Sequence, residues 1–181
     1  MAVKKQSQKL QSILSDLHSG DEKKVSKAIK SLEANGNSTV IRELAECLLH
    51  TTSEVNKKEI LELLSSLKDS SISVEMIEVI GDEHFLKVRQ PLLSTIWNMK
   101  VDFSNYVDDF VQIAVEGDFL EALDCLTIIE NLDGPFMEED ILECQLHLKN
   151  YLEKNIQDEQ KAHILSEIAI KIKEFDQSLM D

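Results

Sequence analysis

Residues 21–67 read DEKKVSKAIKSLEANGNSTVIRELAECLLHTTSEVNKKEILELLSSL. Within them Val25, Ile29 and Leu32, then Val40, Ile41, Leu44 and Leu48, then Ile60, Leu63, Leu64 and Leu67 recur mostly at steps of three and four, the spacing that lines one face of an α-helix. Ile29 and Ile60 are 31 residues apart, and the step continues beyond the stretch, to Leu92 after 32 and to Leu123 after 31. The preceding positions Ala28, Glu59, Pro91 and Ala122 keep the same register, as do Leu32, Leu63, Thr95 and Leu126 three places on. A fixed period of this length predicts stacked helix pairs, because one pair alone cannot bury its apolar face.

The rest of the chain keeps helical spacing, with Val107, Phe110, Val111 and Ala114, then Ile141, Gln145 and Leu148. The segment ISVEMIEVI at 72–80 also alternates in strand fashion, but a lone strand cannot satisfy its backbone groups, so a short helix is expected there. Gly20, Gly81 and Gly117 are each followed by aspartate, the pattern of a left-handed helix stop followed by an N-cap carboxylate. Gly36, before Asn37 and Ser38, and Gly134, before Pro135, fall midway through units as chain reversals. An amphipathic stretch carrying Val3, Leu10, Ile13, Leu14 and Leu17 among polar residues such as Gln6 suits a terminal cap. At the other end Ile164, Leu165, Ile168, Ile172, Phe175 and Leu179 form one stripe.

Residues 81–97, GDEHFLKVRQPLLSTIW, resemble the first helix of a HEAT-type repeat, with Asp82 near its start, a Val88-Arg89 pair and Pro91 in an often kinked helix. The register resembles the short bacterial HEAT-like class over residues 21–155. The signature is complete once: Val25 is followed by Ser26, Asn56 replaces the valine, and Phe119 precedes Leu120. A tetratricopeptide array would carry aromatic and small signature residues at about 34-residue spacing, which are missing. The resemblance implies an all-α, right-handed α-solenoid of about four HEAT-like helix pairs in a single domain over 1–181. Its N-terminal capping helix would cover 1–19, its helix-pair repeats 21–155 and its C-terminal helix 157–181. It also implies a curved surface that binds another macromolecule, most often protein.

Composition narrows the function. With 181 residues, 43% of them hydrophobic, the chain can bury on the order of 70% of its unfolded surface, which excludes general disorder. Five Gly, two Pro and 5% aromatics argue against a many-stranded β fold. Nineteen Lys and Arg against thirty-four Asp and Glu give a net charge of −15, which repels nucleic acid and anionic membranes. The charge is uneven: residues 1–35 hold seven lysines against four acids, and residues 101–150 one lysine against thirteen acids. No apolar run approaches the ~20 residues of a membrane span. Cys47, Cys125 and Cys144 are odd in number and widely spaced with no secretory leader ahead of them, which fits the cytoplasm.

Reactive chemistry finds few footholds. Cys47-x-x-His50 and Cys144-x-x-His147 each offer two metal ligands one helical turn apart, but they lie in the first and fourth repeats, so core cysteines with rim histidines are expected and no metal or other cofactor. Residues 131–140, NLDGPFMEED, partly match a calcium loop, yet the first ligand position falls on Ile129 and Pro135 disturbs the turn, which favours a turn followed by an acid-rich helix start. His84, beside Asp82 and Glu83, could be oriented as a base, and a solvent-side histidine at a helix start is the plainer expectation. There is no nucleophile elbow, no phosphate-cradling glycine loop and no activated cysteine. Trp97 follows Leu93 by four residues and is expected to pack beneath the next repeat.

The acids are periodic too. Glu43, Glu75, Asp108 and Glu139, on the second helices of the pairs, are separated by 32, 33 and 31 residues, and Glu46, Glu78 and Glu143 form a parallel row with Gln112 near the missing rung. Residues at one repeat phase stack into a row, and the HEAT resemblance would set it on the concave side. Such a strip attracts a basic segment of a partner protein, although a row of this kind also arises from patterning for solubility. The expectation is a non-catalytic cytoplasmic scaffold or adaptor, with no nucleic acid and no membrane. The alternative is an enzyme or enzyme subunit on a HEAT-like scaffold, lyase-like or glycosylase-like, the latter opposed by the absence of a basic groove.

Overall fold

The computed structural model of the chain describes residues 2–33, 40–153 and 158–179. They form ten α-helices and no strand. Two compact units divide the chain, Met1–Val101 and Asp102–Asp181. Gly36, Asn37 and Ser38, expected as a chain reversal, and the side chains of Val3 and Gln6 lie outside the described residues. No helix among the described residues is long and apolar enough to cross a membrane.

The first unit holds α1 (Ala2–Leu17), α2 (Glu22–Glu33), α3 (Ile41–His50), α4 (Glu54–Ser66), α5 (Ile72–Gly81) and α6 (Arg89–Ile96). The odd helices contact one another, α1 with α3 and α3 with α5, and so do the even ones, α2 with α4 and α4 with α6. Ile29, Ile60 and Leu92, the register positions of α2, α4 and α6, are all buried. ISVEMIEVI is helical, as α5, and buries Ile72, Met76, Val79 and Ile80.

The second unit holds α7 (Val107–Glu116), α8 (Phe119–Glu130), α9 (Glu138–Glu153) and α10 (Glu159–Ser178). Here α7 packs on α8 and α9, and α10 on α8 and α9. The α10 stripe of Ile164, Leu165, Ile168, Ile172 and Phe175 is buried, and the Phe175 ring stacks on Phe136 at 4.0 Å.

Two positions depart from the expected register. Leu123 is 38% exposed, because the buried stripe of α8 runs through Ala122, Cys125, Leu126 and Ile129, at successive steps of three, one and three, and Leu123 sits a helical step of about 100° off Ala122. Trp97 is 49% exposed. It caps the end of the eight-residue α6, where Leu92, Leu93 and Ile96 fill the inward face and leave the ring to its flank.

All three Gly-Asp pairs place a capping carboxylate. Asp21 accepts from the Lys24 amide at 3.0 Å, Asp82 from the His84 amide at 2.9 Å, and Asp118 from the Glu121 amide at 2.9 Å. Glu121 completes a capping box by accepting from the Asp118 amide. Of the three glycines only Gly20 is left-handed, with φ of 71°, since α5 runs through Gly81 and Gly117 is extended. Gly117 is needed for space instead: a Cβ there would meet the Glu121 carboxylate and lie 2.8 Å from the Ile113 carbonyl oxygen.

Truncating Leu126, only 9% exposed, to alanine is expected to cost about 2 to 5 kcal/mol in urea unfolding, and Leu123→Ala under about 1 kcal/mol. Equal losses would mean that α8 is rotated from this register. Gly117→Ala should cost about 1 to 3 kcal/mol through the crowded cap, measured in the same way, and a neutral result would refute the close approach.

Candidate functional site

Ile41, Leu44, Ala45, Cys47 and Leu48 turn inward on α3, which leaves Glu43, Glu46 and His50 on the other side of the helix. Each acid there meets a histidine. His18 Nε2, just after α1, lies 2.7 Å from Glu43 Oε2. Glu46 is shared between two rings, with His50 Nε2 3.0 Å from Oε1 and His84 Nε2 2.8 Å from Oε2. The contact with His84, followed by that with His50, holds the Glu46 carboxyl below the usual carboxylate range against the effect of burial. Asp82 positions His84 by capping its amide, receives Arg42 Nη1 at 2.9 Å, and is likewise held low by these two donors. His84 is thus the solvent-side histidine at a helix start that was expected, but its ring partner is Glu46, 38 residues away in sequence.

Beside this cluster the first unit has a polar cleft of about 680 Å³ lined by residues including His18, Glu22, Glu46, Cys47, His50 and Asn56. Ser53 donates to Glu22 Oε2 at 2.7 Å and accepts from the Asn56 amide, while the buried Asn56 side chain donates to the Glu22 carbonyl at 3.2 Å. Cys47 donates to the Leu17 carbonyl, and burial pushes its thiol up to about 11, so it stays protonated at neutral pH. Both carboxylates in its wall are already engaged, Glu22 by Ser53 and Glu46 by the two histidines.

In the second unit α7 buries Val107, Phe110, Val111, Ile113 and Ala114, leaving Asp108 and Asp109 partly buried and Gln112 exposed. Its neighbour α9 buries Ile141, Cys144 and Tyr151 and exposes Glu139, Leu142, Glu143 and Leu146. Gln112 is occupied, donating to Glu116 at 3.0 Å. Asp108, Asp109 and Asp140 form no ion pair with any described residue. Burial, reinforced by the charges of Asp108 and Asp140, pushes Asp109 up to about 6, with His147 pulling the other way. Asp140 is raised by burial and by Asp108 and Glu139, and the buried Cys144 thiol by burial and by Asp108 and Asp140.

The periodic acids therefore lie on contacting helices within each unit: Glu43 and Glu46 on α3 with Glu75 and Glu78 on α5, and Asp108 and Gln112 on α7 with Glu139 and Glu143 on α9. The two halves differ in chemistry, since Glu43 and Glu46 are engaged by histidines while Asp108, Asp109 and Asp140 have no ion pair among the described residues. Residues 131–137 form an irregular link with a cis Gly134–Pro135 bond, in which Asn131 donates back to the Thr127 carbonyl, and Glu138, Glu139 and Asp140 open α9. Among the described residues no group of three or more His, Cys, Asp or Glu side chains is placed to hold a metal ion.

Sequence reasoning missed the histidine grip on Glu46 and the cleft, whose residues come from positions scattered between 17 and 56. One signal was present: Asn56, 31 residues after the buried Val25, is a polar residue at a core register position. No protein-family model, curated protein or solved structure matches the chain.

Asp109 binds its proton more readily folded, at about 6, than at the ordinary 3.8. The resulting stabilisation is complete below the unfolded value and is lost as pH rises through about 6, so the ionised carboxylate weakens the fold at neutral pH. Asp109→Asn should raise the unfolding free energy at pH 7 by about 1 to 2 kcal/mol, allowing for solvent screening, and change it little at pH 4. A loss at pH 7 in paired urea titrations would show that the charge is compensated.

Proposed function

We propose that the chain is a non-catalytic protein-binding scaffold, a right-handed α-solenoid of HEAT-like helix pairs whose acidic face takes up a Lys- or Arg-bearing helix of a partner protein. The observation that carries this reading is the crowding of Asp108, Asp109 and Asp140 with no ion pair among the described residues. A basic side chain among them would relieve repulsion that the folded chain otherwise bears, so part of the binding free energy is already stored in the site. Leu142 and Leu146, exposed one turn apart on α9 and flanked by Glu139 and Glu143, suit the apolar side of an amphipathic basic helix. In a HEAT-like stack the odd-numbered helices form the inner face. Three buried free cysteines fit a reducing compartment such as the cytoplasm.

A fluorescent amphipathic peptide of leucine and lysine tests this. Its affinity should fall at least about tenfold as salt shortens the screening length from ~8 Å to ~3 Å, and by a similar factor in the double variant Asp108→Lys, Glu139→Lys. The exposed pair Glu159→Lys, Glu167→Lys on α10 changes the net charge equally and should have a much smaller effect. Binding that ignores salt, or that responds equally to both reversals, would reduce the acidic face to a solubility feature.

A further inference from the structure

The net charge of −15 is not shared between the two units. Residues 1–101 hold fourteen Lys and Arg against fourteen Asp and Glu, whereas residues 102–181 hold five against twenty. The first unit is therefore neutral and the second carries the whole excess. Within the neutral unit the charges are sorted as well. On α2 the buried residues Val25, Ala28, Ile29 and Leu32 form one stripe, and Lys23, Lys27 and Lys30 stand exposed on the opposite side, within about 60° of helix surface. None of the three forms an ion pair with a described residue. With Glu22, Ser26 and Ser31 they line a shallow recess of about 470 Å³.

The second unit has the matching surface. Helix α9 buries Ile141, Cys144 and Tyr151, and on the side opposite that stripe it exposes Leu142 and Leu146, with the exposed Glu139 and Glu143 beside them. Neither glutamate forms an ion pair with a described residue. Single exposed leucines are ordinary, but two on adjoining turns beside carboxylates make an unpartnered amphipathic face. Asp108, Asp109 and Asp140 add to the negative field near the start of α9. The two faces are complementary in both respects. Lysine ammonium groups can reach Glu139 and Glu143, while the lysine stems, apolar for four carbons, and the recess between them can cover the leucines.

We infer that the exposed α9 face of one copy docks on the lysine face of α2 in a second copy, so that the chain is a partner of itself. The inference rests on the reading of the α7/α9 face as a site for a lysine-bearing helix, and it names that helix. Setting a neutral unit against a negative one avoids the repulsion that two negative units would exert on each other. Because two different faces meet, the contact either closes as a two-fold pair, in which each copy gives both faces, or runs on from copy to copy. In both cases α2 of one copy meets α9 of another.

Analytical ultracentrifugation of the whole chain tests this. The weight-average mass should rise across about 1 μM to 1 mM protein, the weak end of protein association, and return to that of the monomer as salt shortens the screening length from ~8 Å to ~3 Å. The variants Lys23→Glu, Lys27→Glu, Lys30→Glu on α2 and Glu139→Lys, Glu143→Lys on α9 should each weaken self-association at least about tenfold. Mixed with each other they should associate again, since every contact between unlike copies is then attractive. The α10 pair Glu159→Lys, Glu167→Lys, with the same change in net charge, should not rescue the α2 variant. All of these positions are exposed, and unchanged melting temperatures check that the folds are intact. A chain that stays monomeric throughout, association that survives salt or either reversal, or variants that fail to pair when mixed would each overturn the inference. The leucine and lysine peptide separates the two readings. If it binds a chain that never self-associates, only the choice of a second copy falls; if neither associates, the reading of the α7/α9 face falls with it.

Discussion

The ammonium of Lys161 is the point on which the second unit is assembled. A helix leaves its last carbonyls without intrahelical donors, and at the end of α7 two carbonyls, those of Val115 and Gly117, are satisfied by one lysine that is only 7% exposed. Burial lowers the affinity of this amine for its proton, while Asp158, Glu121, Asp118 and Glu116 favour the charged form. Negative charge and the negative end of a helix thus surround a single cation. Its own amide is capped by Asp158 at the start of α10, so one residue ties the end of α7 to the beginning of α10. Tyr151 under the same ammonium extends the junction to α9.

Asp108, Asp109 and Asp140 lie toward the other end of α7 and α9 and form no ion pair among the described residues. Residues 101–150 contain one lysine, Lys149, and no arginine, and Lys149 is exposed on α9 without an ion pair to Asp108, Asp109 or Asp140. The first unit meets a similar excess of acid on α3 differently. There histidines from three separate places, His18, His50 and His84, cover Glu43 and Glu46, and Arg42 covers Asp82 while its guanidinium lies 5.2 Å above the Phe85 ring.

Much of the helical architecture could be read from local chemistry. Steps of three and four located the helices, and Asp21, Asp82 and Asp118 marked starts, because capping acts over three residues and leaves a local signature. The rotation of α8 was not legible, since Ala122 and Leu123 are both apolar and only the packing of Cys125, Leu126 and Ile129 decides between them. Trp97 misled for a related reason: helical spacing from Leu93 gives no warning that α6 ends at Ile96. The acidic rows were visible as periodicity, but their electrostatic state was not, because His18 and His84 reach α3 from 25 and 38 residues away. Lys161 could have been suspected. It precedes Ile164 by three residues and so falls on the apolar stripe of α10, where a lysine must find acceptors.

The difference between the two acidic patches decides which of them can gain from a cation. An incoming lysine at Glu46 competes with two imidazoles at 2.8 and 3.0 Å, so it must break existing contacts before it forms its own. At Asp109 no ion pair among the described residues has to be broken, His147 acting only from a distance, and the approach of positive charge also lowers the repulsion exerted by Asp108 and Asp140. In the second unit Leu142 and Leu146 add exposed apolar surface beside Glu139 and Glu143 on α9. The cost of holding these partly buried carboxylates close together falls on the folding stability of the second unit, where α7 and α9 pack directly on each other.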